Sequence, residues 1–192
     1  MDCHRLDADA ALAAVRAAHP CAAPNDGFLE QLRLFGSMHC TLDESCAAFR
    51  RFRLASLAAA GCAPGATPLV ADPGGEDGGG GSVRCRKCRR LLATAEHTIS
   101  HPRGAGARAF GQHKQHKGAA VAGTEAPCSS VFVEPMGWMA EELRDGAQSG
   151  KLACPKCSGR LGGFCWAGEQ CSCGAWVTPA FQLHSARVDV TR

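Results

Sequence analysis

Tyrosine is missing from this chain of 192 residues, which holds only three tryptophans and eight phenylalanines. The aromatic share of any core is therefore modest, and cohesion has to come partly from elsewhere. Long apolar runs are missing too. No uninterrupted stretch reaches about 18 residues, so a membrane-spanning helix is not expected. No basic N-terminal region leads into an apolar run with a small-residue cleavage site, so secretion is not expected either. No GxSxG motif marks a serine nucleophile. The spacing Cys-x5-Arg, in which a thiolate attacks phosphorus while an arginine holds the phosphate, occurs once, from Cys154 to Arg160. There Pro155 removes one amide of the phosphate cradle, and Cys157 makes the loop half of a metal knuckle, so Cys154 is expected to be a ligand and not a nucleophile. His39-Cys40 is followed six residues on by Cys46 where an arginine would be needed.

Cysteine is abundant, with 13 in the chain. In a reducing cytosolic or nuclear setting such thiols are free to bind metal. Cys154-Pro-Lys-Cys157 and Cys171-Ser-Cys173 are two thiol pairs of the kind a tetrahedral Zn²⁺ takes, and the 13 residues between them are enough for a hairpin that returns the second pair to the first. These four are expected to form site one. A second set begins at Cys85-Arg-Lys-Cys88 and continues at Cys128, with His97, His101, His113 and His116 in between as possible fourth ligands of a site with three cysteines and one histidine. Spacing does not choose among these histidines. Cys3, Cys21, Cys40, Cys46, Cys62 and Cys165 are left over and read as small apolar residues.

Charge is divided unevenly. Before Val83 there are six Lys/Arg against ten Asp/Glu, and from Val83 onward fifteen against eight. The cysteine-rich half is thus the basic half, suited to an anionic surface such as RNA. Arg84, Arg86, Arg89 and Arg90 surround the first knuckle, and Arg103, Arg108, Lys114 and Lys117 follow in a Gly-rich loop. With Trp138, the four knuckle arginines are the candidate binding residues, although Trp138 and Met139 equally suit a core.

The predicted fold class is α+β. Residues 1–62 read as helices. Asp7 or Asp9 caps a first helix through Ala18 with Leu12 and Val15 inward, Asn25 caps a second that stops near Gly36, and Phe49, Phe52, Leu54 and Leu57 mark a third up to Gly61. Their large apolar groups are few, so the core they make is thin. Residues 63–82, rich in Gly, Pro and acid, read as a flexible linker. Residues 83–192 read as a β-rich, zinc-ribbon-like domain with one helix around Trp138 to Leu143.

Several runs carry a family resemblance: Cys85-Arg-Lys-Cys-Arg-Arg90, Phe132-Val-Glu-Pro-Met-Gly-Trp-Met139, Gly150-Lys-Leu-Ala-Cys-Pro-Lys-Cys157, Gly168-Glu-Gln-Cys-Ser-Cys-Gly174 and Trp176-Val-Thr-Pro-Ala-Phe181. They resemble the zinc-binding C-terminal domain of the dual specificity protein phosphatase 12 family. Pro24-Asn-Asp-Gly-Phe28 resembles the start of a late helix in that family's phosphatase domain, which makes residues 1–62 the C-terminal helices of such a domain. The resemblance implies two zinc ions. One would be held by Cys154, Cys157, Cys171 and Cys173, the other by Cys85, Cys88, Cys128 and His101, with His184 and then His113 as the next candidates for the histidine. It also implies a binding module that acts, in nucleus and cytoplasm, on the pre-ribosomal large subunit, exchanging a placeholder factor for the stalk protein in contact with rRNA and ribosomal or assembly proteins. A monomer away from membranes is expected. The family's His-Cys-x5-Arg loop and general-acid aspartate do not occur in the sequence, so phosphatase chemistry is not expected of this chain. The alternatives are a phosphatase whose catalytic part is missing from the sequence, and a general RNA-binding zinc protein.

Overall fold

The computed structural model describes residues 7–61, 69–74, 80–104 and 128–191. Within them the fold is α+β, three helices followed by ten short strands. The chain divides into two compact units, Met1–Phe52 and Arg53–Arg192.

In the first unit, α1 (Ala8–Ala18) starts where Asp7 accepts a hydrogen bond from the Ala10 amide, and α2 (Asp26–Ser37) starts where Asn25 accepts one from the Phe28 amide. Each side chain satisfies an amide that the first helical turn leaves unpaired. Arg33 reaches Asp9 across the two helices at 2.8 Å, and the pair is solvent-exposed, so it adds little stability. The thin core is visible in the burial. Val15, expected inward, is 40% exposed, Phe28 is 58% exposed, and neither helix has a buried residue. Helix α2 also runs one residue past Gly36, the expected stop.

Helix α3 (Ala47–Ala59) crosses the boundary between the units. Its second half belongs to the basic unit, where Leu54 is buried and Leu57 packs against the same core. The helical segment therefore does not end as a separate block at residue 62. The expected linker is likewise not all free chain. The Val70 amide donates to the Pro135 carbonyl and the Gly137 amide to that of Val70, each at 2.8 Å, while Asp72 accepts from the Trp138 amide at 2.8 Å. Val70 and Asp72 thus dock a short extended segment, because Gly and Pro around them do not prevent two well-placed backbone bonds. Residues 63–68 and 75–79 of that stretch lie outside the described residues.

The strands follow in order: β1 (Ser82–Cys85), β2 (Leu91–Thr94), β3 (Thr98–Ile99), β4 (Ser130–Val133), β5 (Ser149–Ala153), β6 (Arg160–Cys165), β7 (Glu169–Gln170), β8 (Trp176–Val177), β9 (Ala180–His184) and β10 (Val188–Val190). They make a five-stranded sheet ordered β3-β4-β9-β6-β5, a three-stranded sheet β10-β1-β2 and the hairpin β7-β8, with every paired neighbour antiparallel. Strand β9 is central, and Phe181 stacks on Phe164 and meets Trp166 edge-on. Gly162 faces the Gln182 carbonyl so closely that a Cβ there would stand 1.9 Å from its oxygen. Gly162→Ala must therefore push β6 away from β9. The expected cost is about 3 kcal/mol or more, read as a lowered denaturation midpoint; an unchanged midpoint would show that the strands can part freely.

The expected helix from Trp138 to Leu143 is replaced by two 3-10 turns, Gly137–Met139 and Arg144–Gly146, joined by further turns. Trp138 is only 9% exposed, and its indole N–H donates to the Leu92 carbonyl at 2.9 Å. A buried indole needs such a partner, and satisfying it holds this segment in place. Trp138 is thereby a core residue, the second of its two expected roles, and not an exposed contact.

Candidate metal centres

Two turns of identical hydrogen-bonding pattern build the first centre. At the end of β1 the Cys85 amide donates to the Arg90 carbonyl and the Arg89 amide to that of Cys85; at the end of β5 the Cys154 amide donates to Gly159 and the Ser158 amide to Cys154. Each turn closes through a residue with positive φ, Arg89 at 64° and Ser158 at 53°. The two knuckles face each other, with Cys85 Sγ 3.8 Å from Cys157 Sγ and Cys88 Sγ 3.5 Å from Cys154 Sγ. A tetrahedron with Zn–S bonds of about 2.3 Å has edges of about 3.8 Å, so these four sulfurs fit one zinc ion.

The second centre lies where the short ladder of β3 and β4 meets the β7-β8 turn. Pairing of Ile99 with Phe132 brings His101, just beyond β3, and Cys128, just before β4, to the same end of the sheet. The ligand atoms of His101, Cys128, Cys171 and Cys173 lie within 4.8 Å of one another. Cys171 Sγ is 3.4 Å from His101 Nε2 and 2.9 Å from Cys173 Sγ. Phe132 meets the imidazole edge-on and fixes its plane. Ser172 Oγ accepts from the Ser129 amide at 2.9 Å and so ties the Cys-x-Cys turn to the strand bearing Cys128. Gly104, whose amide donates to the Cys173 carbonyl, packs so closely that a Cβ would lie 1.9 Å from the Gly174 oxygen.

The eight ligand candidates converge in a different grouping from the expected one. Cys154 and Cys157 join Cys85 and Cys88, while Cys171 and Cys173 join His101 and Cys128. The two sets interleave along the chain. The reason is strand β6: its six residues run about 20 Å, carrying the chain away from the Cys154 knuckle before Cys171 is reached. The 13 residues that were expected to fold back are occupied by sheet. His184 is exposed at the end of β9, and His97 is buried with Nδ1 2.7 Å from the Thr94 hydroxyl; neither belongs to a cluster. His113 and His116 lie outside the described residues, as do Arg108, Lys114, Lys117, Cys3 and Cys62.

The thiols share protons unevenly. Burial pushes Cys154 up to about 12, and burial together with Cys173 pushes Cys171 up to about 11. The Arg90 amide draws Cys88 down to about 7 against the effect of burial. For Cys128 burial again works upward, but the Ser130 amide, His101 and Ser172 outweigh it and bring it to about 6. Sulfurs in contact, four in the first cluster and three in the second, cannot all ionise without a cation among them, so each cluster favours one thiolate and holds another as a thiol. A divalent ion reverses this and deprotonates its ligands outright. Donor type and burial suit Zn²⁺ in both clusters, since it takes four sulfurs, or three sulfurs with one imidazole nitrogen; the first has the spacing of a tetrahedron, while Cys171 and Cys173, 2.9 Å apart, have to part by about 1 Å to hold an ion. Cys154 of the lone Cys-x5-Arg sequence stands inside the first cluster, and no cysteine of the chain other than Cys154 has an arginine six residues on.

The knuckle arginines are engaged within the unit. Arg86 donates through Nε to Asp189 at 3.0 Å and, at longer range, to carbonyls of the β9-β10 turn. Arg89 pairs with the other oxygen of Asp189, Arg90 stands 3.7 Å from Asp72, and Arg84 donates to the Arg89 carbonyl. Asp189 and Asp72 are thus structural partners that the charge count could not single out.

A protein of Arabidopsis thaliana named probable inactive dual specificity protein phosphatase-like is 49% identical over 106 residues, covering 55% of this chain and 71% of that protein. Mouse dual specificity protein phosphatase 12 is 39% identical over 186 residues, covering 91% of this chain and 53% of that protein. The chain belongs to the dual specificity protein phosphatase 12 family. Another relative, tyrosine-protein phosphatase YVH1 of Saccharomyces cerevisiae, is 31% identical over 207 residues, 96% of this chain and 56% of its own. The chain spans about half the length of these two longer family members. No family model matches the sequence.

Proposed function

We propose that this chain is a zinc-dependent binding module that acts in assembly of the large ribosomal subunit, where it helps exchange a placeholder factor for the stalk protein. The observation that carries the reading is the pair of interleaved four-donor clusters, which suits a scaffold of turns and occupies Cys154, the thiol of the lone Cys-x5-Arg sequence, as a ligand. Family membership and the surplus of Lys/Arg from Val83 onward support an anionic partner, rRNA with its ribosomal and assembly proteins. Two zinc ions per chain belong to this reading, as do a monomeric state and residence in nucleus and cytoplasm. α1, α2 and α3 then represent the last helices of a dual-specificity phosphatase domain. The name of the Arabidopsis relative, probable inactive, agrees with a role that needs no catalysis.

A second reading is favoured by length. The relatives named phosphatases are about twice as long as the stretch they share with this chain. On that reading the chain is the non-catalytic half of a protein tyrosine and serine/threonine phosphatase. An in-frame His-Cys-x5-Arg loop encoded upstream would support the second reading, and one preparation of this chain tests the first. Zinc content, co-sedimentation with pre-ribosomal large subunits and turnover of an aryl phosphate are measured together. Two zinc ions, co-sedimentation and no turnover are expected. Absence of metal or of co-sedimentation overturns the first reading, and salt-sensitive RNA binding without co-sedimentation points to a general RNA-binding zinc protein.

A further inference from the structure

Three turns meet beside the first metal centre and leave a cleft of about 250 Å³. The first turn is the Cys85 knuckle, which contributes Arg86 and Lys87. The second is the end of the Cys154 knuckle at Gly159 with the start of β6 at Arg160. The third is the β9-β10 turn at Ala186 and Arg187. They are tied together: the Arg86 amide donates to the Arg187 carbonyl at 3.0 Å, and the Lys87 stem lies over Gly159, whose Cβ position is 3.8 Å from Lys87 Cδ. Four cationic side chains line the cleft, and no Asp or Glu does.

The four are not equivalent. Asp189 and turn carbonyls occupy the Arg86 guanidinium, which acts as a clamp between turns. Lys87, Arg160 and Arg187 are exposed, and no hydrogen bond or ion pair engages their side chains among the described residues. Three cations without a partner among the described residues, on three hydrogen-bonded turns around one small cleft, can converge on an oxyanion. Leu161, buried beneath, and Ala186 are the main apolar groups there. A protein partner would ask for an apolar centre inside the charged rim, whereas a phosphodiester asks only for cations and a fixed frame.

We propose that Lys87, Arg160 and Arg187 seat a backbone phosphate of RNA in this cleft. The proposal rests on the binding-module reading above and gives that module a specific contact, distinct from the knuckle arginines that are already engaged. A competing role for the three cations is to offset the metal cluster, since four thiolates around one divalent ion carry a formal charge of about −2. The test must therefore follow metal as well as RNA.

The zinc-loaded full chain is titrated with a short labelled single-stranded RNA of mixed sequence over a range of salt concentrations. Arg160→Ala/Arg187→Ala is compared with a charge-matched control, Lys151→Ala/Lys156→Ala, whose exposed lysines lie outside the cleft. Zinc content and pre-ribosome co-sedimentation are measured on each. The cleft variant is expected to keep its zinc, to bind RNA about tenfold or more weakly at roughly 0.1 M salt, and to lose about 1.5 units of the log–log salt slope. The control should change the slope much less. Equal losses in both variants, or none in either, overturn the cleft. Loss of zinc in the cleft variant alone overturns it in favour of the charge-offsetting role. Binding of an oligo-glutamate peptide in place of RNA overturns the phosphate assignment. Should co-sedimentation persist in the parent chain without RNA binding, this inference fails and the binding-module reading stands; should both vanish, that reading fails with it.

Discussion

Stripping the proposed zinc ions from this protein with a strong chelator is expected to unfold the unit from Arg53 to Arg192 cooperatively. A structural zinc ion contributes on the order of 10 kcal/mol, and the net stability of a whole domain is only about 5–15 kcal/mol. The clusters are also part of the core. Cys85 and Cys154 are buried in the main apolar cluster, and Cys171 and Cys173 in the smaller one with Phe132, Val177 and Ala180. Without the ion those sulfurs face one another with neither charge balance nor a full set of protons, so the knuckles part and open both cores at once. All three tryptophans, Trp138, Trp166 and Trp176, lie in this unit, so their emission reports on it alone. A red shift of emission and loss of near-ultraviolet dichroism should accompany metal release, and both should reverse when zinc is restored. Acid should produce the same transition, because protons compete with the ion for its thiolates and the stability the ion confers is lost as pH falls. Retention of a native tryptophan spectrum after complete release would show that the sheets hold without metal.

Much of this architecture is legible in the chain itself, and the illegible parts have definite causes. Local signals hold where the physics is local. Asp7 and Asn25 cap their helices because a side-chain oxygen three residues before an unpaired amide needs no tertiary context. The eight ligand candidates stand out for the same reason, since paired cysteines are a property of a few adjacent residues. How they group is a property of the path between them, and β6 takes the path across the sheet. Position relative to the core is equally non-local. Trp138 reads as exposed or buried with equal ease until Leu92 and Asp72, both far away in sequence, are seen to receive its two N–H groups. The arginines around the first knuckle show the same limit. Their charge is visible in the sequence, whereas the Asp189 carboxylate that two of them share arrives from the last strand, about 100 residues later.

The interleaved grouping predicts a result that a sequential one forbids. In the double variant Cys128→Ser/Cys171→Ser both substitutions fall in one cluster, so one metal ion per chain should remain, held by Cys85, Cys88, Cys154 and Cys157. Were Cys171 to share an ion with Cys154, the same variant would damage both sites and retain none. Since a serine variant can fail by misfolding, cadmium-substituted parent protein supplies an independent reading. Scalar coupling should connect one cadmium to the β protons of Cys85, Cys88, Cys154 and Cys157, and the other to those of Cys128, Cys171 and Cys173 with the His101 ring. Coupling of a single cadmium to both Cys154 and Cys171 would sink the interleaved arrangement. Interleaving joins parts of the chain that are distant in sequence. The Cys88–Cys154 contact closes 66 residues of chain and the His101–Cys171 contact closes 70, whereas a sulfur cluster made only from the last four ligands would close a loop of 13. Because loop-closure entropy grows only as the logarithm of length, the longer closure at the first site costs about 1.4 kcal/mol more when the chain folds around its ion, small beside the ion's own contribution on the order of 10 kcal/mol. It also links the β1-β2 turn of the three-stranded sheet to the β5-β6 turn, and the β3-β4 end of the five-stranded sheet to the β7-β8 hairpin, so neither ion can be lost without parting two sheets. That coupling is why metal release is expected as one transition and not as two.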